Sequence, residues 1–291
     1  VLSIDTTQSQ SYQDIQFVSA DVAGNVIFWD SNYYVRYNVP IGESIRSMDW
    51  NQDQEYLLVA TETKVYMLWL QNLNDGNNPL SAQTMFEPGL NSISAAFVNN
   101  NTGGFLLVDR NGTVTNFTQG QSSTDWKPQT FQPVSHMQSA FGTGNRVNAT
   151  LDATKNIIVT ATSERDISTW DITTGQVINK RTLPATMTHV SAMSALTNGQ
   201  IAIGSTDGQL LFWDFSIDTY WTKILPAGTQ VTALNGTIPD ICIIATNNGI
   251  FLCDLVHSDQ QPTRLTVPNN KSQYISSLDV RLPGDGTPPV L

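Results

Sequence analysis

The chain has 291 residues, of which 40% are hydrophobic and only 13% are charged. This composition excludes a largely disordered protein, because disorder requires many charges and few apolar residues; no apolar run reaches the roughly 18 residues of a membrane-spanning helix. Acidic residues number 25 against 14 Lys and Arg, giving a net charge of −11. Direct binding to nucleic acid is therefore not expected, whereas a partner protein with basic segments is compatible.

A short motif of the form V-x-x-φ, in which φ is apolar, opens a repeated unit. In chain order it occurs at 1–5, 45–50, 93–97, 147–152, 190–196, 231–235 and 275–280. Self-similarity at a fixed period indicates a repeat architecture in which one supersecondary unit is copied along the chain. We therefore predict a single domain over residues 1–291, with units that start near 1, 45, 93, 147, 190, 231 and 275.

A longer motif follows each of these starts: an apolar strand, a short turn, and a strand that closes on an aromatic residue, most often followed by Asp. Its copies lie at 17–30, 56–70, 104–118, 157–171, 201–214 and 241–254. The closing position reads Trp29, Trp69, Phe117, Trp170, Trp213 and Cys253. A further strand is clearest at 33–39, 177–183 and 221–226. Short runs rich in Val, Ile, Thr and aromatics, separated by Gly-containing turns, predict an all-β protein with four strands per unit.

This pattern resembles the WD40-repeat family over nearly the whole chain. The best copy is GSTDGQLLFWD at 204–214, in which Ser205, Asp207 and Trp213 match three of the four positions of the family's structural hydrogen-bond tetrad. The fourth, the His of a Gly-His pair, is missing. The resemblance implies a β-propeller of four-stranded blades, in which Trp29, Trp69, Trp170 and Trp213 pack between adjacent blades.

The last repeat start decides the predicted number of blades. Six complete units precede ISSLDV at 275–280, which reads as the first strand of a seventh. We therefore predict a seven-bladed propeller whose last blade is incomplete in this chain. The alternative is a six-bladed propeller with this tail docked elsewhere.

No catalytic or metal-binding pattern occurs. The three histidines lack H-E-x-x-H spacing, and there is no G-x-S-x-G turn, phosphate loop or zinc-type Cys/His cluster. Cys242 and Cys253 lie in apolar runs on one predicted hairpin, which predicts two small buried side chains; a disulfide is conceivable in an oxidising compartment. We predict that the protein is not an enzyme and has no cofactor and no metal.

In the WD40 family, the turns between second and third strands and the connections between blades share one face, which commonly binds peptides or domains. On that resemblance, the candidate partner-binding residues are Arg46 and Asn148 near the starts of first strands, and Glu62, Glu164 and Arg165 in the turns. Trp126 lies in one of two long connections, 71–92 and 119–146, and is a further candidate anchor. The alternative for Trp126 is packing on the edge of its own blade in an outer strand.

Three functions remain open at this point. The first is a non-catalytic scaffold or adaptor subunit of a multiprotein complex, for which the resemblance makes a cytoplasmic or nuclear location the expectation. The second is a receptor that selects peptide motifs at the mouth of the propeller channel. The third is an enzyme or small-ligand propeller, which the channel-facing Ser, Thr, Asn and apolar residues disfavour, and fold alone decides none of them.

Overall fold

A computed structural model gives the structure of the chain. It describes residues 15–21, 23–30, 32, 34–50, 56–61, 63–70, 83–86, 92–98, 104–109, 114–119, 126–131, 148–152, 157–161, 165–171, 174, 176–187, 189–236, 238–265 and 275–280. Within these residues, no helix is long and apolar enough to cross a membrane.

The described strands form six four-stranded antiparallel sheets, each of which is one blade. Blade 1 contains β1 (Ile15–Asp21), β2 (Asn25–Asp30) and β3 (Val35–Pro40). Blade 2 contains β4 (Ile45–Trp50), β5 (Tyr56–Thr61), β6 (Val65–Trp69) and β7 (Gln83–Phe86). Blade 3 contains β8 (Ser92–Val98), β9 (Gly104–Asp109), β10 (Val114–Gln119) and β11 (Trp126–Phe131).

The second half of the chain repeats this arrangement. Blade 4 contains β12 (Asn148–Asp152), β13 (Ile157–Ala161), β14 (Asp166–Asp171) and β15 (Val177–Thr182). Blade 5 contains β16 (Val190–Ala195), β17 (Ile201–Ser205), β18 (Gln209–Asp214) and β19 (Thr219–Ile224). Blade 6 contains β20 (Val231–Asn235), β21 (Ile241–Thr246), β22 (Gly249–Asp254) and β23 (Thr263–Arg264). The last described strand is β24 (Ile275–Val280).

The number of blades differs from the sequence-based prediction. β24 does not open a seventh blade: it pairs with β1, from Phe17 opposite Val280 to Asp21 opposite Ile275, and completes the sheet of blade 1. The innermost strands β24, β4, β8, β12, β16 and β20 contact one another in sequence, and β20 contacts β24, so they form a closed ring of six. The seven-bladed prediction is therefore wrong for the described chain. The alternative gave the six blades correctly, but its tail is part of the ring rather than docked elsewhere.

The apolar core lies between the blades. Period-two alternation sends successive side chains of a strand to opposite faces of its sheet, so each blade buries both faces against its two neighbours. Val18 and Phe28 of blade 1 join Leu57 and Leu68 of blade 2 in one buried cluster. Equivalent clusters join blades 2 and 3, 4 and 5, 5 and 6, and 6 and 1. This circular arrangement confirms the predicted all-β propeller.

Three of the four tryptophans predicted to lie between blades do so at least in part. Trp213 is fully buried beside Ile157 and Val159 of blade 4. Trp170 is buried as well, and Trp29 is partly buried against the blade 6 side chains of its cluster.

Trp69 is the exception, because 38% of it is exposed. The turn before its strand runs from Thr61 to Lys64, which is one residue shorter than the Ser205–Gln209 turn of blade 5. A shift of one residue sends a side chain to the other face of the sheet. Leu68 therefore occupies the buried place between blades, and the core prediction for Trp69 is wrong.

The two cysteines are buried, as predicted, and directly opposite each other on β21 and β22. Both are free thiols. Burial raises the pKa of Cys253 to about 11 and raises the pKa of Cys242 well above its ordinary value. Both are therefore protonated, unreactive core side chains at neutral pH.

Candidate functional site

Each blade has two ends, and the hairpin connectivity assigns a different set of connections to each. Turns between second and third strands, together with links to the next blade, lie at one end, which we call the 2–3 turn face. Turns between third and fourth strands lie at the opposite end, which we call the 3–4 turn face. The sequence resemblance directed attention to the 2–3 turn face.

The predicted binding residues do not form one described site. Arg46 is exposed near the start of β4, at a register shift between Ile45 and Ser47. Arg165 is half buried in the turn before β14, with a positive φ of 69°, and its carbonyl accepts a hydrogen bond from the Leu183 N–H.

The other candidates have less structural definition. Asn148 is the first residue of β12, an innermost strand, and only its backbone is described. Glu62 and Glu164 lie outside the described residues. Trp126 is the first residue of β11, an outermost strand, where it pairs with Gln119. Its backbone therefore lies at the 3–4 turn end of blade 3, opposite the face for which the turn residues were selected.

The described polar groups of the 2–3 turn face bind largely to one another. Glu43, in the link between blades 1 and 2, accepts hydrogen bonds from the hydroxyls of Thr61 (2.7 Å) and Thr63 (2.6 Å). The hydrogen bond from Thr63 is the main reason that the pKa of Glu43 lies below its ordinary value, and Lys64 adds to it. These contacts fasten the link of one blade to the turn of the next.

The same internal bonding recurs between blades 5 and 6. The Gln230 N–H donates to the side-chain oxygen of Asn247 (2.8 Å), and the Asn247 N–H donates to the Gln230 carbonyl (3.1 Å). The Asn247 amide also donates to the Gly228 carbonyl. In blade 6, the Arg264 guanidinium donates to the Asn248 carbonyl. The contacts of Asn247 fasten the link between blades 5 and 6 to the turn of blade 6.

The tetrad residues predicted from the sequence form two separate hydrogen-bonded groups in blade 5. The Ser205 hydroxyl donates to Asp207 and accepts from the Gln209 N–H (3.0 Å), so both side chains shape the turn. The Trp213 indole N–H donates instead to Asp218 (3.2 Å), at the opposite end of the blade.

In two other blades, the corresponding indole N–H reaches a hydroxyl on the neighbouring second strand. Trp29 donates to Ser19 (2.8 Å), and Trp170 donates to Thr160 (2.9 Å). The register of blade 5 places Ile203 at that position, which cannot accept a hydrogen bond. A tetrad-like contact thus occurs in blades whose sequences match the family motif less well.

In blades 1, 4, 5 and 6, an Asp follows the closing position of the third strand and has a local structural task on the 3–4 turn face, whereas Leu70 and Thr118 stand there in blades 2 and 3. The Asp30 carboxylate accepts from the N–H groups of Asn32 and Tyr34. Asp214 accepts from the Ser216 N–H, and Asp254 accepts from those of Val256 and His257; Asp171 does the same with Thr174. Such side-chain to backbone bonds fix a tight turn without a regular ladder.

Exposed apolar side chains lie at this end of the blades. Each of the five blades whose side chains are described at this end presents at least one large apolar residue there. These are Tyr34 (54% exposed), Trp69 (38%), Val177 (45%), Ile217 (67%) and Val256 (63%), from blades 1, 2, 4, 5 and 6; blade 4 adds Ile178 and blade 5 adds Tyr220. The sequence motifs do not single them out. Each of the first five lies near the aspartate position of its repeat, between one residue before it (Trp69) and six residues after it (Val177).

The junction of blades 4 and 5 joins this face to the outer rim. Arg181 of blade 4 donates through Nε to the Asp218 carboxylate (2.8 Å) and through Nη2 to the Asp218 carbonyl (2.8 Å). Its guanidinium carbon lies 5.1 Å from the Tyr220 ring centroid. The hydrogen bond from Arg181 is the main reason that the pKa of Asp218 lies below its ordinary value. The network fixes the turn that carries Ile217.

Nothing in the described residues points to metal chemistry. No group of three or more His, Cys, Asp or Glu side chains among them is placed to hold a metal ion. The arrangement of the 3–4 turn face, with apolar side chains on rigid turns, suits contact with another macromolecule.

Comparisons with known proteins identify the fold. No protein-family model matches the chain, and no curated protein matches it in sequence. Among many similar solved structures is the β-propeller domain of Cps50 (Swd1) from Myceliophteria thermophila, with a TM-score of 0.60 and 12% sequence identity. The match covers 90% of this chain and 85% of that chain. At this identity the likeness shows a shared β-propeller fold.

Proposed function

We propose that the protein is a non-catalytic platform that binds other proteins in a complex, and that a partner docks on the 3–4 turn face. One observation carries the proposal: five blades each present an exposed large apolar side chain at the same end. Exposed apolar residues scattered over a surface are ordinary. Their recurrence at one end of a ring, in four of the five blades beside an aspartate that holds the turn, supports an interaction surface.

The chemistry of this face suits a partner with apolar anchors and basic flanks. Tyr34, Ile217 and Val256 supply apolar area at little conformational cost, because their turns are already fixed by hydrogen bonds. The partly exposed carboxylates of Asp218 and Asp254 in these turns are already paired, with Arg181 and His257. The net charge of −11 favours a partner segment in which Lys or Arg flanks apolar side chains.

The channel-mouth receptor receives less support. Arg46 is exposed, but the described polar groups around the 2–3 turn face are engaged in contacts within the chain. An enzymatic role has no described constellation of acid, base and nucleophile behind it. The scaffold role is therefore the proposal that we carry forward.

The test is quantitative cross-linking mass spectrometry on the tagged chain in its native extract. The test variant combines Tyr34→Ser, Ile217→Ser and Val256→Ser on the 3–4 turn face. The control combines Thr206→Ala and Ala227→Ser, which are exposed positions on the 2–3 turn face. Because all five side chains are exposed, neither variant should change the unfolding midpoint by more than a small amount.

We expect the test variant to recover at least about tenfold less of the cross-linked partner, since anchor residues contribute most of the binding energy. The control should recover the partner at the level of the unmodified chain. Equal recovery by both variants, or cross-links confined to the 2–3 turn face, would contradict the proposal.

A further inference from the structure

The outermost strand of blade 5, β19, differs from the other outer strands in leaving its edge unprotected. Natural sheets protect an exposed edge with bulges, prolines, outward charges or very short strands. β3 has a register shift and ends at Pro40, β7 has four residues and a shift, and β11 contains Pro128. β15 has a shift and the exposed Lys180, and β23 has two residues.

None of these protections occurs in β19. All six of its residues pair with β18 without a shift, from Gln209 opposite Ile224 to Asp214 opposite Thr219. Its one charged residue, Lys223, is buried to 7% exposure on the side that faces blade 6. The other side shows Tyr220 (45% exposed), Thr222 and Ile224 (68%).

The hydrogen-bond alternation defines which backbone groups this edge offers. The Leu225 N–H donates to the Gly208 carbonyl (2.9 Å), which sets the phase of the antiparallel ladder. Residues 219, 221 and 223 therefore direct their backbone groups to β18. The N–H and C=O groups of Tyr220, Thr222 and Ile224 point away from the sheet, toward an edge at which no described strand pairs.

The sequence of β19 is complementary to itself when two copies run antiparallel about Thr222. In that register, Tyr220 lies opposite Ile224 of the other copy and Ile224 lies opposite its Tyr220, while the two Thr222 residues face each other on the two-fold axis. In all three pairs, the backbone N–H and C=O groups of both residues point outward. Each pair can therefore form two N–H to C=O hydrogen bonds between the copies. The apolar side chains share one face of the joined sheet, where cross-strand pairs stabilise it.

The opposite face of the joined sheet also fits. There, Lys223 of each copy lies across from Trp221 of the other, so the two positive charges do not face each other. Lys223 already lies over an indole within the chain, with its Nζ 6.0 Å from the Trp221 ring centroid. A cation above an aromatic ring is a favourable contact. The one charge of β19 is thus compatible with self-pairing.

We propose that β19 is a homodimerisation edge, through which two copies of this chain join their fifth blades into one continuous eight-stranded sheet. The interface is isologous, because the same strand serves both partners around a two-fold axis. It is separate from the partner-binding role of the 3–4 turn face. A single pair of six-residue strands is a small interface, so the association is weak and concentration-dependent.

The experiment is sedimentation equilibrium of the purified full chain from about 10 μM to about 1 mM, the range that small interfaces require. The unmodified chain should shift reversibly from its monomer mass of 32.0 kDa to twice that mass as concentration rises. A chain that remains monomeric over the whole range overturns the proposal.

Thr222 offers a test specific to the two-fold axis. Thr222→Lys places two like charges directly opposite each other, and Thr222→Glu does the same with the opposite sign. Each variant alone should weaken dimerisation at least about tenfold. An equimolar mixture of the two should dimerise again, because Lys then faces Glu.

The matched control is Thr219→Lys, at an exposed position of the same strand whose backbone groups point toward β18. It should dimerise like the unmodified chain. Dimerisation by Thr222→Lys at the unmodified affinity, or a mixture that fails to recover, would overturn the assignment to β19. Because Thr222 is exposed, all variants should retain the unfolding midpoint of the unmodified chain.

Discussion

Two tryptophans that occupy the same place in the sequence motif should differ sharply in their contribution to stability. Trp213 is fully buried between blades 4 and 5, whereas 38% of Trp69 is exposed and its ring stacks on Tyr56 at 5.8 Å. Trp213→Ala removes a buried aromatic ring and leaves a cavity, at a cost of about 3 to 5 kcal/mol. Trp69→Ala loses a partly exposed contact, at a cost of about 1 to 2 kcal/mol.

Leu68→Ala provides the decisive comparison. Leu68 occupies the place between blades that the motif assigns to Trp69, and it is 2% exposed. Its truncation should cost about 2 to 5 kcal/mol. We therefore expect removal of the smaller side chain to destabilise the protein more than removal of its larger neighbour.

The assay is equilibrium unfolding in urea followed by far-UV circular dichroism, which does not depend on the deleted tryptophan. The free energy of unfolding of each variant is compared with that of the unmodified chain, with the same m value (the slope of that free energy against urea concentration) used for all of them. The register assignment of blade 2 is refuted if Trp69→Ala costs as much as Trp213→Ala, or if Leu68→Ala is nearly neutral.

Three further predictions rest on single described contacts. The bond from His257 to the Asp254 carboxylate raises the pKa of His257 above 6.5 and contributes to the lowered pKa of Asp254. The pair therefore stops contributing to stability when pH rises through the folded pKa of His257, and also when pH falls through the folded pKa of Asp254. NMR titration should show a midpoint above 6.5 for His257. Asp254→Asn should lower that midpoint. Both cysteines should resist a thiol reagent in the native chain at neutral pH and react, two per chain, once urea unfolds it. Gly24→Ala should lower the free energy of unfolding in urea by more than about 2 kcal/mol, because φ is +83° and a Cβ would overlap the backbone of Glu43. Gly42 has the same φ but open space around it, so Gly42→Ala should cost only about 1 kcal/mol.

The sequence was informative about the strands because their signals are local. Alternating apolar residues and Gly-containing turns depend on neighbours in the chain, and the first strands near 45, 93, 190, 231 and 275 begin within a residue of those positions in the structure. Cys253 closes the third strand of blade 6 in the repeat, and it packs between blades 5 and 6 in the structure. Its burial therefore also followed from its position in the repeat.

The blade number could not be read in the same way. Whether Ile275–Val280 starts a new blade or completes an old one depends on its pairing with β1, far away in sequence. The error at Trp69 has a more local cause. The repeat aligned its aromatic residues, but a turn one residue shorter changes which face each side chain meets.

The candidate surface was missed because the family resemblance favours the opposite face. In the sequence, the recurrent Asp of the Trp-Asp pair marks the repeat and does not indicate that its carboxylate fixes the turn beyond it. Ile217 and Val256 then look like unremarkable loop residues in sequence. Only the fold shows that they share one end of the ring with Tyr34 and Val177.

Completion of blade 1 by β24 has a consequence for the synthesis of this protein. β1 leaves the ribosome about 250 residues before β24 does, an interval of roughly 10 to 50 seconds at usual rates of translation. Throughout that interval, β24 is not available to pair with the inner edge of the first sheet. Nascent chains therefore carry an adhesive edge until β24 emerges, which makes chaperone protection important throughout the synthesis of blades 2 to 6.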